Sequence, residues 1–204
     1  MIVDLIQEYY NDGIFFNSTS ADFMPGITVL TGCNGYGKST MLAAIRDHCN
    51  KNNIKHIYFD SIQNRIEDRN RADFYGDMVY VASVMTASEG ESISMSLGKF
   101  AQKLGAFVKA NQNEKTLVIL MDAVDSGYSI DNIIELKKLL FKTVINDCKS
   151  KNIELYIIIS ANSYELTVNY PCFDPINCKY ISFSDYNDYK SYIQKTRKTK
   201  DKRT

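Results

Sequence analysis

Short apolar runs alternate with longer amphipathic stretches along the chain. Each run has the length of a strand and is rich in Val, Ile, Leu or aromatic residues, so the runs predict strands. They cover residues 26–31, 54–59, 78–85, 116–121, 155–160 and 180–183. Because helices between strands allow neighbouring strands to run parallel, the alternation predicts an α/β domain with a mainly parallel central sheet flanked by helices.

The amphipathic stretches predict the helices. Apolar residues recur at helical spacing in residues 39–50, 88–111 and 130–148, and a shorter helix is expected near residues 186–194. In the third stretch the apolar stripe comprises Ile133, Ile134, Leu136, Leu139, Leu140 and Val144. The charged, arginine-rich residues 61–75 are compatible with either a helix or an exposed loop.

The beginning of the chain has a different pattern. Residues 2–10 and residues 14–16 are strand-like, and Asn11-Asp12-Gly13 lies between them. Asn, Asp and Gly tolerate the positive φ angles of tight hairpin turns. The pattern therefore predicts an N-terminal antiparallel hairpin beside the parallel sheet.

The chain has 204 residues, and its 24 basic and 24 acidic residues give a formal net charge of zero. The length suits one domain, predicted for residues 1–194, and the balanced charge gives no general attraction to nucleic acid or membrane. Residues 195–204 are basic and predict a disordered, solvated tail, with nucleic-acid contact as the alternative. The start lacks the basic segment of a signal peptide, the apolar runs are too short to span a bilayer, and the five cysteines are scattered, so a cytoplasmic location is expected.

The most specific motif is GCNGYGKS at residues 32–39, which matches the phosphate-binding pattern G-x-x-x-x-G-K-[ST] in full. It follows a predicted strand and begins a predicted helix, as such a loop must. Glycines such as Gly37 allow backbone N–H groups to converge on phosphate oxygens, and the helix places its positive end at the same point. Lys38 is predicted to contact the β- and γ-phosphates of a nucleotide, and the Ser39 hydroxyl to bind Mg²⁺.

The loop resembles the Walker A motif of the ATP-binding cassette (ABC) ATPases, whose usual form is G-x-N-G-x-G-K-S-T. Asn34, Gly35 and Thr40 match this narrower pattern. The strand that ends at Asp122 resembles the Walker B strand of the same family, which implies that Asp122 and Ser39 hold Mg²⁺. The chain looks like the soluble repair and chromosome-structure branch, in particular its compact bacterial and phage members. The resemblance implies a P-loop NTPase fold with ATP and Mg²⁺ as cofactors.

The chain departs from the family pattern at the two positions whose side chains orient or deprotonate the attacking water. Ala123 stands where the family has a catalytic glutamate, and Asn162 stands where it has a histidine after the next strand. Asparagine can hydrogen-bond a γ-phosphate or a water but cannot carry a proton. Asp125 is a weak substitute for the glutamate because its side chain is shorter, and Ser126-Gly127 match the core of the family's D-loop. The resemblance therefore implies tight ATP binding with slow or disabled hydrolysis.

The segment SEGE at residues 88–91 is similar to the family's signature motif S-x-G-[EQ]. In the family this motif contacts the γ-phosphate held by the partner subunit, which implies such roles for Ser88 and Gly90. The same residues match a helix capping box, and a capping box alone is the alternative. Residues 96–99 are a rival signature, disfavoured because Gly98 would lie inside the helix.

Two further residues are weaker candidates for contacts with the nucleotide. Gln63 follows a predicted strand and is the candidate for the family's glutamine loop, although an ordinary surface role fits equally well. Phe16 could stack on adenine, although a core role is favoured.

The resemblance implies a soluble ABC-type ATPase domain that forms a head-to-tail homodimer around two ATP molecules and acts as a switch or clamp. A protein partner or nucleic acid is compatible with this function, and no membrane association is expected. One alternative is a small P-loop kinase in which Arg65, Arg69 and Arg71 bind phosphate. The other is a non-catalytic ATP-binding interaction protein, since Ala123 leaves it open whether this chain is an enzyme.

Overall fold

The computed structural model describes residues 1–5, 15–60, 89–126 and 129–202. Several sequence predictions lie outside these residues. They concern the turn at residues 11–13, the helix or loop at residues 61–75 with its three arginines, the strand at residues 78–85, and the residues Gln63, Ser88 and Gly127.

The chain begins with a small antiparallel pair of strands. Strand β1 (Ile2–Asp4) pairs with β2 (Ser20–Asp22), with Ala21 opposite the middle residue of β1. The predicted antiparallel patch is thus confirmed, but its second strand was wrongly placed at residues 14–16. Phe16 is 1% exposed and belongs to the hydrophobic core, so its segment turns inward before the strand begins.

Among the described residues, six strands form the central sheet, in the order β4-β5-β6-β3-β7-β8. They are β3 (Gly26–Leu30), β4 (Lys55–Asp60), β5 (Thr116–Asp122), β6 (Glu154–Ser160), β7 (Cys172–Asp174) and β8 (Lys179–Ile181). All neighbouring pairs are parallel except β7 and β8. The predicted α/β fold with a mainly parallel sheet is confirmed. Because β5, β6 and β3 are adjacent and parallel, the segments that follow them meet at one edge of the sheet.

Alternate residues of β5 enter two separate cores. Leu117, Ile119 and Met121 pack on one face of the sheet, whereas Val118 and Leu120 pack on the other, and all five are 0% exposed. A strand covered on both faces needs apolar side chains at every position, because successive side chains point to opposite faces. This is why the run LVILM has no polar alternation.

Helix α1 (Lys38–Lys51) covers one face and α2 (Glu89–Ala110) contributes to the other. Both lie within one residue of their predicted bounds. Helix α1 buries Met41, Leu42 and Ile45 at the spacing of one helical face, in the same core as Val118 and Leu120 of β5. This packing fixes the start of α1, and with it the loop at residues 32–37, relative to the sheet.

The helix predicted for residues 130–148 is divided into three parts. They are α3 (Ile130–Leu136), a π-helical segment (Lys137–Phe141) and α4 (Lys142–Ser150). The wider π turn rotates the residues that follow it around the axis. As a result Phe141 is 1% exposed although it was not assigned to the apolar stripe. The assignment of Ile134 to the stripe was wrong for a different reason: Ile134 precedes the π turn and is 41% exposed, because Ile133 and Leu136 form the buried face of α3.

The end of the chain is more ordered than its composition predicts. A four-residue helix, α5 (Tyr164–Thr167), follows β6, and the last helix, α6 (Tyr186–Asp201), continues through most of the segment predicted to be a disordered tail. The Asp185 side chain accepts a hydrogen bond from the N–H of Asp188 at 2.9 Å and caps α6. Thr196, deep in the predicted tail, is only 2% exposed because it packs on the loop that precedes α1.

Candidate functional site

The loop at residues 32–37 bends sharply between β3 and α1. Gly35 and Gly37 have φ angles of 75° and 93°, in the left-handed region that glycine adopts without strain. A Cβ atom on Gly37 would lie 2.7 Å from the Phe15 ring, so a larger residue would also clash there. The N–H of Met41 bonds to the Gly37 carbonyl at 2.9 Å, which starts the helix. The N–H groups of the first helical turn have no acceptors within the helix and point towards the loop.

A cavity of about 640 Å³ opens over this loop. Its lining includes ten residues that the sequence predicted as site residues: Asn34, Gly35, Gly37, Lys38, Ser39, Thr40, Asp122, Ala123, Asp125 and Asn162. Phe15, Ser126 and Ser160 complete the lining. The structure thus brings together three segments that are far apart in sequence, each at the carboxyl end of a neighbouring strand.

Lys38 is buried at the base of the cavity, with 8% of its surface exposed. Its ammonium donates hydrogen bonds to the carbonyl oxygens of Gly32 at 2.7 Å and Cys33 at 3.2 Å, and to Oδ1 of Asn162 at 2.9 Å. Burial lowers the pKa of Lys38, and the nearby carboxylate of Asp125 opposes that effect. All three hydrogen-bond acceptors are neutral oxygens, so a bound anion would give this buried cation a stronger partner.

Asp122 is the last residue of β5 and is held by two hydroxyl groups. Ser160 donates to Oδ1, and Tyr58 donates to Oδ2 at 3.2 Å. The Ser160 hydroxyl also accepts the N–H of Ala123 at 3.0 Å. Burial, followed by the negative charge of Asp122, raises the pKa of Tyr58. Tyr58 therefore stays a neutral donor, and the Asp122 carboxylate is fixed in direction.

Asp125 joins the segment after β5 to the segment after β6. Its Oδ2 accepts the backbone N–H groups of Asn162, at 2.7 Å, and of Ser163. Its Oδ1 is buried and has no hydrogen-bond partner within the described residues. A buried carboxylate oxygen in that state is unfavourable unless a proton donor or a cation completes it.

Ala123 lies in a tight turn with a φ angle of 49°, and the Ser126 N–H bonds to its carbonyl at 3.0 Å. Its methyl group lines the cavity beside Asp122. A methyl group can neither orient nor deprotonate a water molecule. The position where the resemblance expects a glutamate therefore faces the cavity but has no acid–base function.

Asn162 is restrained at three of its groups. Besides the contact of its Oδ1 with Lys38, its backbone N–H bonds to Asp125, and its carbonyl accepts the Tyr189 hydroxyl at 2.6 Å. Tyr189 is on α6, so the last helix supports the segment after β6. This arrangement keeps the amide in the cavity.

Sequence reasoning missed three contributors to the site. Ser160 was assigned to a strand without a role, although a polar residue ending a fully apolar run was a usable signal. Tyr58 was treated as a strand residue only. Phe15 lines the cavity, whereas Phe16, named as a residue that could stack on adenine, is buried in the core and is not among the described lining residues. The core role favoured for Phe16 is confirmed.

The predicted signature motif stays a prediction. Gly90 lies in the first turn of α2, and its predicted contact is with a nucleotide held by a partner subunit. Gly98, in the rival motif, lies within α2 as expected. Ser88 and Gln63 lie outside the described residues, so both assignments stay predictions.

No protein-family model matches the chain, and no curated protein matches it. Within the described parts of the chain, no helix has both the length and the apolar character needed to cross a membrane. In the same residues, His, Cys, Asp and Glu side chains form no cluster of three that could hold a metal ion.

Proposed function

We propose that the chain binds Mg-ATP in this cavity and is an ABC-type P-loop ATPase domain with slow or disabled hydrolysis. One observation carries the proposal. The glycine-rich loop, the carboxylate of Asp122 and the amide of Asn162 line a single cavity around the Lys38 ammonium, and this arrangement supports a P-loop NTPase site.

The phosphate groups fit the base of the cavity. The first turn of α1 offers backbone N–H groups and the positive end of the helix dipole. Lys38 would exchange its bonds to the carbonyls of Gly32 and Cys33 for bonds to phosphate oxygens. Bonds to phosphate oxygens join opposite charges, whereas the present acceptors of Lys38 are neutral carbonyl oxygens, so the exchange favours binding. Phe15, at the cavity wall, offers an aromatic surface to the remainder of the nucleotide.

The residues present also fit Mg²⁺. Ser39 and Asp122 line the same cavity and would hold the ion, and the unpartnered Oδ1 of Asp125 would accept a hydrogen bond from its hydration shell. Mg²⁺ binds through one or two carboxylates together with phosphate oxygens and water, so the absence of a cluster of three ligands among the described residues is consistent with it. When bound, the ion would neutralise phosphate charge and orient the γ-phosphate.

The site lacks a suitable base for the hydrolysis step. Asp122 accepts hydrogen bonds from Ser160 and Tyr58, and one oxygen of Asp125 accepts hydrogen bonds from two backbone N–H groups. Ala123 provides no base, and Asn162 can position a water but cannot take its proton. We therefore expect ATP to stay bound and intact, so a role as a nucleotide-dependent switch or clamp fits better than a role in rapid turnover.

The dimer follows from the ABC resemblance and from the exposure of the loop. Asn34, Gly35 and Ser39 are exposed, so one side of the phosphate site is open to a second molecule. A second copy could close that side with its Ser88 and Gly90 region, which would give an ATP-sandwich homodimer. A non-catalytic ATP-binding interaction protein is the second candidate, and Ala123 favours it.

Light scattering coupled to size-exclusion chromatography tests the proposal, with Mg²⁺ and ATP, ADP or no nucleotide. We expect a dimer with ATP alone and no phosphate release. An Ala123→Glu variant should also dimerise but should release phosphate, and a Lys38→Ala variant should do neither. If the chain binds ATP but stays monomeric in all versions, the ABC-type assembly is wrong and the simple ATP-binding function replaces it. If the chain does not bind ATP, the proposal fails entirely.

A further inference from the structure

Helix α6 is attached directly to the phosphate-binding loop. The Cys33 N–H donates a hydrogen bond to Oγ1 of Thr196 at 3.0 Å, and the Tyr192 hydroxyl donates to the Thr31 carbonyl at 3.5 Å. Ile193 packs against the small apolar cluster that contains Cys33. Neither the P-loop pattern nor the strand-helix context predicts a helix in this position.

Lys200 lies one helical turn beyond Thr196 and therefore on the same face of α6. Its Cε and Nζ atoms are 3.0 Å and 3.1 Å from the position that a Cβ atom on Gly35 would take. Gly35 lines the cavity. The ammonium thus lies beside the backbone of a residue that lines the cavity, and a side chain at position 35 would displace it.

The charge of Lys200 lacks compensation within the described residues. Lys200 forms no ion pair there, whereas Arg197, on the exposed side of the same helix, pairs with Asp201 at 3.3 Å. The loop N–H groups, the start of α1 and Lys38 face the cavity together with the carboxylates of Asp122 and Asp125. An anion bound at the loop would provide the Lys200 ammonium with a partner of opposite charge.

We propose that Lys200 is a second phosphate-binding lysine, supplied to the nucleotide by α6 in addition to Lys38. This inference rests on the proposed binding of ATP. The ammonium compensates for negative charge on the phosphates at the outer side of the loop, where Gly35 leaves the backbone uncovered. Residues 195–202, which composition assigned to a solvated tail, then form part of the nucleotide site.

The test measures Mg-ATP and AMP affinities by isothermal titration calorimetry for the unmodified chain and for Lys200→Gln, Lys200→Arg and Lys198→Gln. Lys198 is exposed on the same helix and provides the charge-matched control. Loss of one charge-assisted contact should weaken ATP binding about tenfold in Lys200→Gln. The affinity for AMP, which carries only one phosphate group, should fall by a smaller factor. Lys200→Arg should keep most of the affinity, and Lys198→Gln should match the unmodified chain.

The melting temperature without nucleotide separates binding from a structural role. It should be unchanged in Lys200→Gln, while the increase caused by ATP becomes smaller. If Lys200→Gln binds ATP as the unmodified chain does, or weakens no more than Lys198→Gln, the role of Lys200 is wrong and the proposed ATP site stands. If the nucleotide-free melting temperature falls and ATP affinity does not, Lys200 is structural. If the unmodified chain binds no ATP, both proposals are wrong.

Discussion

Asp125 uses its two carboxylate oxygens differently. Oδ2 fixes the segment after β6 through the N–H groups of Asn162 and Ser163, whereas Oδ1 is buried without a partner among the described residues. One oxygen therefore stabilises the fold. The other is buried without a hydrogen-bond donor, which costs free energy that a bound ligand would recover by donating a hydrogen bond. Such local conflict is typical of binding and catalytic sites.

We expect Asp125→Asn to lower the free energy of unfolding by about 1–3 kcal/mol, because two charge-assisted bonds to backbone N–H groups are weakened. Urea denaturation measures the change. Glu114→Gln is the control, since Glu114 is exposed and its substitution should change stability by less than ~0.5 kcal/mol. Equal stability of Asp125→Asn and Glu114→Gln would show that Asp125 does not join the two segments.

At the scale of the element, local patterns predicted most helices and strands but not how they meet. The loop at residues 32–37, α1 and β5 follow from motif and apolar runs, and so do ten of the residues that line the cavity. The π-helical segment and the inward turn at Phe16 were not predictable, because each depends on packing against residues distant in sequence. The length of α6 was underestimated because the composition of residues 195–202 shows their charges. It does not show that Thr196 packs against the loop at residues 32–37.

The attachment of α6 to the loop can be tested at Thr196. A Thr196→Val substitution keeps the shape but leaves the buried Cys33 N–H without its acceptor, which should cost about 1–3 kcal/mol of unfolding free energy. Thr199→Val is the matched control, because its hydroxyl only bonds to the Lys195 carbonyl at an exposed position. Thr196→Val should also weaken ATP binding, since it loosens the element that carries Lys200. Indistinguishable unfolding curves for the two variants would contradict the attachment.

At the scale of the whole molecule, the nucleotide would act as a stabilising component of the fold. ATP in this cavity would contact segments after β3, β5 and β6 together with α6, so its binding energy opposes the separation of all of them. A ligand that binds only the folded state at roughly a hundred times its Kd adds about 2.7 kcal/mol to the free energy of unfolding. In a chain that does not hydrolyse ATP, this stabilisation should not decay with time.

We therefore expect Mg-ATP to raise the melting temperature of the unmodified chain by the same amount at the start and after prolonged incubation. The Ala123→Glu variant should begin with a similar increase and lose it as ATP is consumed, because its glutamate can activate water. Differential scanning fluorimetry at successive times, with Lys38→Ala as the non-binding control, measures both. A stabilisation that decays equally fast in the unmodified chain and in Ala123→Glu would mean that another group at this site supplies the base, with Asp125 the first candidate because one of its oxygens has no partner among the described residues.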